Sequence, residues 1–204
     1  MNDNPPVCLV ILAGGQSLRM GQDKATIRLD GARLIDRAIA RYQSSADRIW
    51  LSAESDFDTG IDIISDDPDM PGGPVGAIFT IAAHLPILCP EAVGFVTIPV
   101  DAPFAPDDLI PRLSAVPGCS VAQSPRQLHP VFGYWRCDIV RDVSETYRNN
   151  KQTESLHQPA PSLQWLVRQC NSQLVSWPDE QAFMNINTPE DLALAEATII
   201  KAQI

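Results

Sequence analysis

Positive charge is in short supply in this sequence. The chain carries 15 Lys and Arg residues against 25 Asp and Glu, a formal charge of -10 at pH 7. Nucleic-acid binders draw affinity from basic surfaces that displace counterions from phosphates, so this balance argues against that class. Cysteine is present but unpatterned. Cys8, Cys89, Cys119, Cys137 and Cys170 are odd in number, widely spread and without a Cys-x-x-Cys pair, which indicates neither a disulfide framework nor a zinc site. They read as reduced, packed thiols of a cytoplasmic protein. Long apolar runs are missing as well: the early run Val7 to Ala13 is far below the ~20 residues of a membrane helix. The six residues before it lack the positive charge of a signal peptide, so the expectation is no membrane and no export address.

What is there fits a globular protein. Hydrophobic residues make up 45% and charged residues 20% of 204, a composition and length suited to one domain, expected over residues 1–204. Proline, at 18 residues, exceeds its usual ~5% share and predicts short elements separated by rigid turns. Val7 to Leu12 is a continuous apolar run ending in Gly14-Gly15, the pattern of a central parallel strand buried on both faces. Leu34, Ile35, Ala38, Ile39 and Tyr42 recur at helical spacing, and Arg48 to Ser52 reads as the next strand; strand, helix, strand implies a right-handed crossover.

Ile61 to Ile64 is a weaker strand, followed by a Pro/Gly-rich loop over Pro68 to Gly76 and a helix through Val75, Ile78, Phe79, Ala82 and Ala83. Val93 to Val100 repeats the opening theme, a buried strand that stops at a polar residue, Asp101. Asp107 to Leu113 should be helical, and Ser120 to Gln123 and Val131 to Trp135 should be strands that introduce antiparallel pairing. Helices are expected around Ile139, Val143 and Tyr147 and over Leu163 to Val167, with a strand at Gln173 to Trp177. Asn149 to Pro161 reads as an irregular connection. The last helix carries the clearest start: Thr188 as N-cap, Pro189 in the first helical position and Asp191 closing a capping box. The alternation gives a single-domain α/β, Rossmann-like fold with a mostly parallel central sheet.

The segment Leu12 to Lys24 holds the densest chemistry. Glycines after a buried strand let backbone N–H groups approach a polyanion, and Arg19 and Lys24 could neutralise phosphate charge. The spacing matches neither the P-loop nor the dinucleotide fingerprint, and a plain strand-to-helix loop with solvated charges explains glycine and charge alone equally well. Asp101, before Ala102-Pro103, suits either a turn or a hard cation. Asp66, Asp67 and Asp69 compete for one role at the end of the weaker strand; Asp66 lies nearest that end. His129 is assigned to substrate binding or packing, because an attacking phosphate is already ionised and needs no base. His84 and His157 lack partners at metal spacing and read as structural, and Trp50, Trp135, Trp165 and Trp177 read as core.

These segments together resemble a known family. Leu12-Ala13-Gly14-Gly15, then Arg19-Met20-Gly21-x-Asp23-Lys24, is similar to the nucleotide-binding loop of the molybdenum cofactor guanylyltransferases and their wider nucleotidyltransferase group. Pro99-Val100-Asp101-Ala102-Pro103 resembles the metal-binding aspartate motif, Pro71 to Gly76 the Gly-Pro turn, His129-Pro130-Val131-Phe132-Gly133 a segment of the guanylyltransferases, and Asn185-Ile186-Asn187-Thr188-Pro189-Glu190 their C-terminal signature. The resemblance implies transfer of GMP from GTP to molybdopterin-bound molybdenum with release of pyrophosphate, and Mg2+ as cofactor. It implies catalytic roles for Arg19, Lys24 and Asp101, with Asp101 also the metal ligand. Leu12, Ala13, Gly14, Gly15, Lys24, Ser52, Asp66 and Asp101 would bind the nucleotide, and His129, Asn185 and Asn187 the pterin-bearing acceptor. Molybdenum cofactor delivery proteins are the implied protein partners. The alternatives are CTP or another phosphorylated acceptor, or a noncatalytic nucleotide-binding relative. Two departures stand out: Ser52 takes the place of a common Asn, and the stretch between Arg148 and Leu163 has Lys151 as its one cation.

Overall fold

The computed structural model describes residues 5–14, 23–153 and 160–202. Strand β1 (Cys8–Leu12) is followed by a short 3-10 turn (Lys24–Thr26), a two-strand hairpin of β2 (Arg28–Leu29) and β3 (Ala32–Arg33), helix α1 (Leu34–Tyr42), and strands β4 (Arg48–Ser52) and β5 (Ile63–Ile64). Helix α2 (Pro74–Leu88), β6 (Gly94–Pro99), α3 (Leu109–Ser114), β7 (Ser120–Gln123), β8 (Leu128–Arg136) and α4 (Cys137–Thr153) come next. The chain closes with α5 (Leu163–Gln169), β9 (Gln173–Ser176), a second 3-10 turn (Gln181–Phe183) and α6 (Pro189–Ala202).

The seven-stranded sheet has the order β5-β4-β1-β6-β8-β7-β9. Pairs β4/β5, β1/β4, β1/β6 and β7/β9 are parallel, while β8 runs antiparallel to both β6 and β7. The α/β class and the switch to antiparallel pairing are therefore as expected. Because side chains alternate across a strand, β1 sends Leu9 and Ile11 into one core and Cys8 and Val10 into another. The first core lies under α1, α3 and the C-terminal segment, and the second under α2, α4 and α5. All five cysteines are free and buried, and all five sit in the second core. Trp50, Trp135 and Trp177 are buried; Trp165 is half-buried and leans edge-on against Tyr147.

Several boundaries differ from the sequence reading for identifiable reasons. The hairpin escaped it, although Asp30 and Gly31 both take positive φ, the geometry that an Asp-Gly hairpin turn requires. Helix α2 starts at Pro74, inside the segment read as loop, because Gly73 takes φ 80° and Pro74 occupies the first turn. Helix α4 runs through Asn149 and Asn150 to Thr153, into the stretch read as irregular. At α6 the capping box is complete: Asp191 Oδ2 accepts the N–H groups of Asn187 and Thr188 at 2.9 Å, and Thr188 Oγ1 accepts that of Asp191 at 3.2 Å.

Register makes the carboxyl edge of the parallel half straight. Leu12 stands level with Ser52 and with Pro99, and Ser52 with Ile64. The ladder continues one residue farther through Ala13 N–H to Ser52 O at 3.0 Å and Val100 N–H to Leu12 O at 3.1 Å. Four loops thus leave from one line, which is where open α/β sheets bind ligands. The loop before α2 is held against the helix so closely that a Cβ on Gly76 would lie 1.7 Å from the Pro71 carbonyl oxygen. Gly76→Ala is therefore expected to cost about 3 kcal/mol, seen as a lower urea midpoint; an unchanged midpoint would show that this turn is not pinned.

Candidate active site

Two cavities open along that edge. The first, of about 510 Å3, is lined by Leu12, Ala13 and Gly14 after β1, Ser52 and Glu54 after β4, Asp66 after β5, the start of α2, and Asp101 after β6. Among the described residues, a Cβ added to Gly14 would meet Ser52 O at 3.5 Å, an ordinary contact. Asp66 enters the cavity wall; Asp67 instead caps its own turn, accepting the Asp69 N–H at 2.9 Å. Asp67 and Asp69 are not among the described residues that line the cavity. Asp66 is held above the ordinary carboxylate range, first by desolvation and then by neighbouring Glu54, with a hydrogen bond from Ser52 pulling the other way. Helix α2 starts in this cavity's wall, at Gly73, Pro74 and Ala77, with no side-chain cap bond from a described residue and no acid in its first turn, so the positive end of its dipole lies on that side.

Lys24 is set by its own turn. Asp23 Oδ1 accepts the Ala25 N–H at 3.0 Å, fixing the 3-10 turn that carries Lys24. From there Nζ donates to Asp101 Oδ2 at 2.6 Å and to Asn187 Oδ1 at 2.5 Å. Asp101 is buried, and its other oxygen, Oδ1, has no hydrogen-bond partner among the described residues. Its backbone carbonyl accepts the Ile186 N–H at 2.8 Å, which ties the C-terminal segment to the end of β6. Gly15 and Arg19, expected on the phosphate loop, lie outside the described residues, as does His157.

The second cavity, of about 780 Å3, lies beyond Asn187. Asn185, Asn187 and His129 all line it, together with Phe104, Phe183 and Met184. Ile186 is buried in the first core, so the alternation read from the sequence does place Asn185 and Asn187 on one side. The Asn185 Oδ1 atom is buried without a hydrogen-bond partner among the described residues. His129 stacks on Phe183 at 4.3 Å and shares a 2.9 Å hydrogen bond with Ser124 Oγ. Packing and cavity lining are thus one position. His84 is satisfied within its helix, 2.9 Å from Thr80 O. Sequence reasoning missed Glu54 and the Lys24–Asp101–Asn187 contact; Glu54 could have been found from its position two residues past Ser52 on the same exit loop.

A profile of the MobA-like NTP transferase domain matches residues 9–169. The chain belongs to that family. Molybdenum cofactor guanylyltransferase of Cereibacter sphaeroides is 32% identical over 94% of this chain and 96% of its own. The enzyme of the same name from Rhizobium rhizogenes is 33% identical over 91% and 89%. Among solved structures, molybdopterin-guanine dinucleotide biosynthesis protein A of Archaeoglobus fulgidus aligns with TM-score 0.69 at 19% identity over 95% of this chain and 99% of its own. The 4-diphosphocytidyl-2C-methyl-D-erythritol synthase of Anaerococcus prevotii aligns with TM-score 0.70 at 15% identity over 96% of each chain. These two carry the fold alone. The MobA-like relationship covers β1 to α5 and so takes in every loop of the first cavity.

One titration follows from the second cavity. Desolvation holds His129 below the ordinary histidine range, with Glu180 opposing. The unfolded chain then takes up a proton near pH 6.5 that the folded chain refuses, so stability is lost as pH falls from ~6.5 toward the folded value. Between pH 7.5 and 5.5 the urea midpoint should fall more for the natural chain than for His129→Gln; equal falls would show that His129 does not carry this loss.

Proposed function

We propose that this chain is a molybdenum cofactor guanylyltransferase that moves GMP from GTP to the terminal phosphate of molybdenum-loaded molybdopterin, with pyrophosphate leaving. The observation that carries the reading is the Lys24 bridge, because it stands where the two cavities meet: Lys24 and Asp101 line the first and Asn187 lines the second. A nucleotidyl transfer needs such a boundary. The nucleotide enters from one side and the attacking phosphate from the other, with the α-phosphorus between them. The relatives named as guanylyltransferases over nearly the whole chain support the substrates.

Nucleotidyl transfer leaves the protein mainly positioning and charge stabilisation to do. Leu12, Ala13, Gly14 and Gly15 would present backbone to the nucleotide, and Arg19 and Lys24 would neutralise the triphosphate. Lys24 would exchange Asp101 for phosphate oxygens as the nucleotide settles. Ser52 and Asp66 lie at the nucleoside end. Asn185, Asn187 and His129 would bind the pterin, where the unpartnered Asn185 Oδ1 can accept from its amino or ring N–H groups. The residues present fit Mg2+: Asp101 offers an unpaired buried oxygen, and a hard cation held by one or two carboxylates plus substrate phosphates needs little more from the protein. Bound there, Mg2+ would draw off charge developing on the phosphates. The attacking phosphate is already ionised, so no general base is required. A cytoplasmic location and handover by cofactor delivery proteins belong to the same reading.

The test supplies molybdenum-loaded molybdopterin, Mg2+ and each nucleoside triphosphate in turn, with pyrophosphate and dinucleotide as readouts. Turnover is expected with GTP; turnover with CTP instead would remove the guanylyl assignment, and binding without turnover would favour a noncatalytic relative. Asp101→Ala should lower kcat by about 10^3-fold with an unchanged circular dichroism spectrum, and full activity in that variant would exclude Asp101 from the chemistry.

A further inference from the structure

The start of α6 is tied down more tightly than a helix start requires. In an ordinary capping box the residue at the third helical position is Glu or Gln, and its side chain takes the N–H of the N-cap residue. Here that residue is Asp191, shorter than Glu by a methylene, and its Oδ2 takes two N–H groups at 2.9 Å: that of the N-cap Thr188 and that of Asn187 before it. Asn187 stands outside the helix, so the second bond does nothing for the helical ladder. It sets the main chain of Asn187 instead.

From that backbone the Asn187 side chain reaches Lys24, whose Nζ donates to its Oδ1 at 2.5 Å. An ammonium group has donors only, so Oδ1 must face it and the amide is held in one of its two orientations. The Nδ2–H2 donors then turn away from Lys24, and the cavity that Asn187 lines is the second one. Two N–H donors beside an ammonium group, at the boundary of the two cavities, suit a phosphate that arrives from the second. Asp191 lines that cavity as well. Its carboxylate would repel a phosphate brought against it, so it can serve the attacking phosphate only through Asn187.

We propose that Asp191 is a positioning residue for the attacking phosphate: it sets the Asn187 backbone so that the Asn187 amide, oriented by Lys24, offers both of its N–H donors at the boundary. This inference rests on the guanylyltransferase reading and adds to it a residue that touches none of the reacting atoms. It also accounts for the choice of Asp over Glu. The longer arm suits the N-cap N–H alone, whereas the shorter one draws in the N–H of Asn187 too.

Three variants of the full chain separate this role from helix capping. Asp191→Glu gives the ordinary box, Thr188→Ala removes the reciprocal 3.2 Å bond but keeps Asp191, and Asp191→Ala removes the acceptor of both N–H groups. Asp191→Glu should keep the urea midpoint of the natural chain while its Asn187 amide exchanges hydrogen about 10-fold faster. Its KM for molybdenum-loaded molybdopterin should rise about 10-fold, with the GTP dissociation constant, measured by calorimetry with Mg2+, unchanged. Thr188→Ala should lower the urea midpoint and leave both the acceptor KM and the Asn187 exchange rate as they are. Asp191→Ala should combine the two effects; Asp191→Glu carries the test if that variant does not fold. An acceptor KM untouched in Asp191→Glu overturns the proposal. So does a KM that follows the urea midpoint across the variants, which would make Asp191 a helix cap and no more, or a GTP dissociation constant that rises as much as the acceptor KM. A natural chain that forms no dinucleotide from GTP defeats the guanylyltransferase reading itself, a result visible before any variant is made.

Discussion

The contact on which the site depends is the one Lys24 makes with Asp101 and Asn187. It joins three segments far apart in the chain, at sequence separations of 77 and 163, and no single element could supply it. As a source of stability it is weak. The Lys24 side chain is 22% exposed and that of Asp101 10%, so Coulomb attraction is set largely against the cost of taking both charges out of water. Its importance is positional: a buried carboxylate stays compensated, with one oxygen still unclaimed, until a ligand with its own charges competes for the lysine.

Everything around that contact serves to hold its three origins in line. Level registry of β1 with β4 and β6 makes the exits of Ala13, Ala53 and Val100 neighbours. The Asp23 turn aims Lys24, while the Ile186-to-Asp101 backbone bond and the Asp191 capping box together fix Asn187. Asp191 is itself held below the ordinary carboxylate range, chiefly by the Asn187 N–H it accepts. A capping box usually stabilises a helix start. Here it also fixes the segment that separates two cavities, so local helix chemistry and active-site geometry are one arrangement.

Much of this was legible in the sequence because it rests on local rules. Continuous apolar runs at Val7 to Leu12 and Val93 to Val100 announced the two central strands, and Thr188-Pro189-x-Asp191 announced α6. The edge at which Asp101 emerges followed from where the second run stops, and that of Asp66 from the end of the weaker strand Ile61 to Ile64. What could not be read was any relation created by packing. Nothing in the spacing of Lys24 and Asn187 says that they meet, since that depends on the C-terminal segment crossing the end of β6. Glu54 looked like one more solvated acid in a chain with 25 of them, and only the cavity wall separates it from the rest. The missed hairpin differs in kind: Asp30-Gly31 stated it, but flanking strands of two residues each leave no periodicity to notice.

The charge balance that opens the sequence reading now has a spatial form. A chain of net charge -10 repels polyanions at long range, so its nucleotide must be favoured locally. Under the proposed function the first cavity would do this by its sorted charge, with Lys24 and Asp101 at the β6 end and two acids at the β4–β5 end. A nucleoside triphosphate is sorted the same way, anionic at one end and rich in N–H donors at the other when the base is guanine. Reversing the ligand would place phosphates against Glu54 and Asp66 and leave Lys24 facing a neutral base. Like charges in contact at reduced dielectric cost several kcal/mol, so under the proposed function the acids that make the chain a poor general anion binder would let this cavity accept its nucleotide in one orientation.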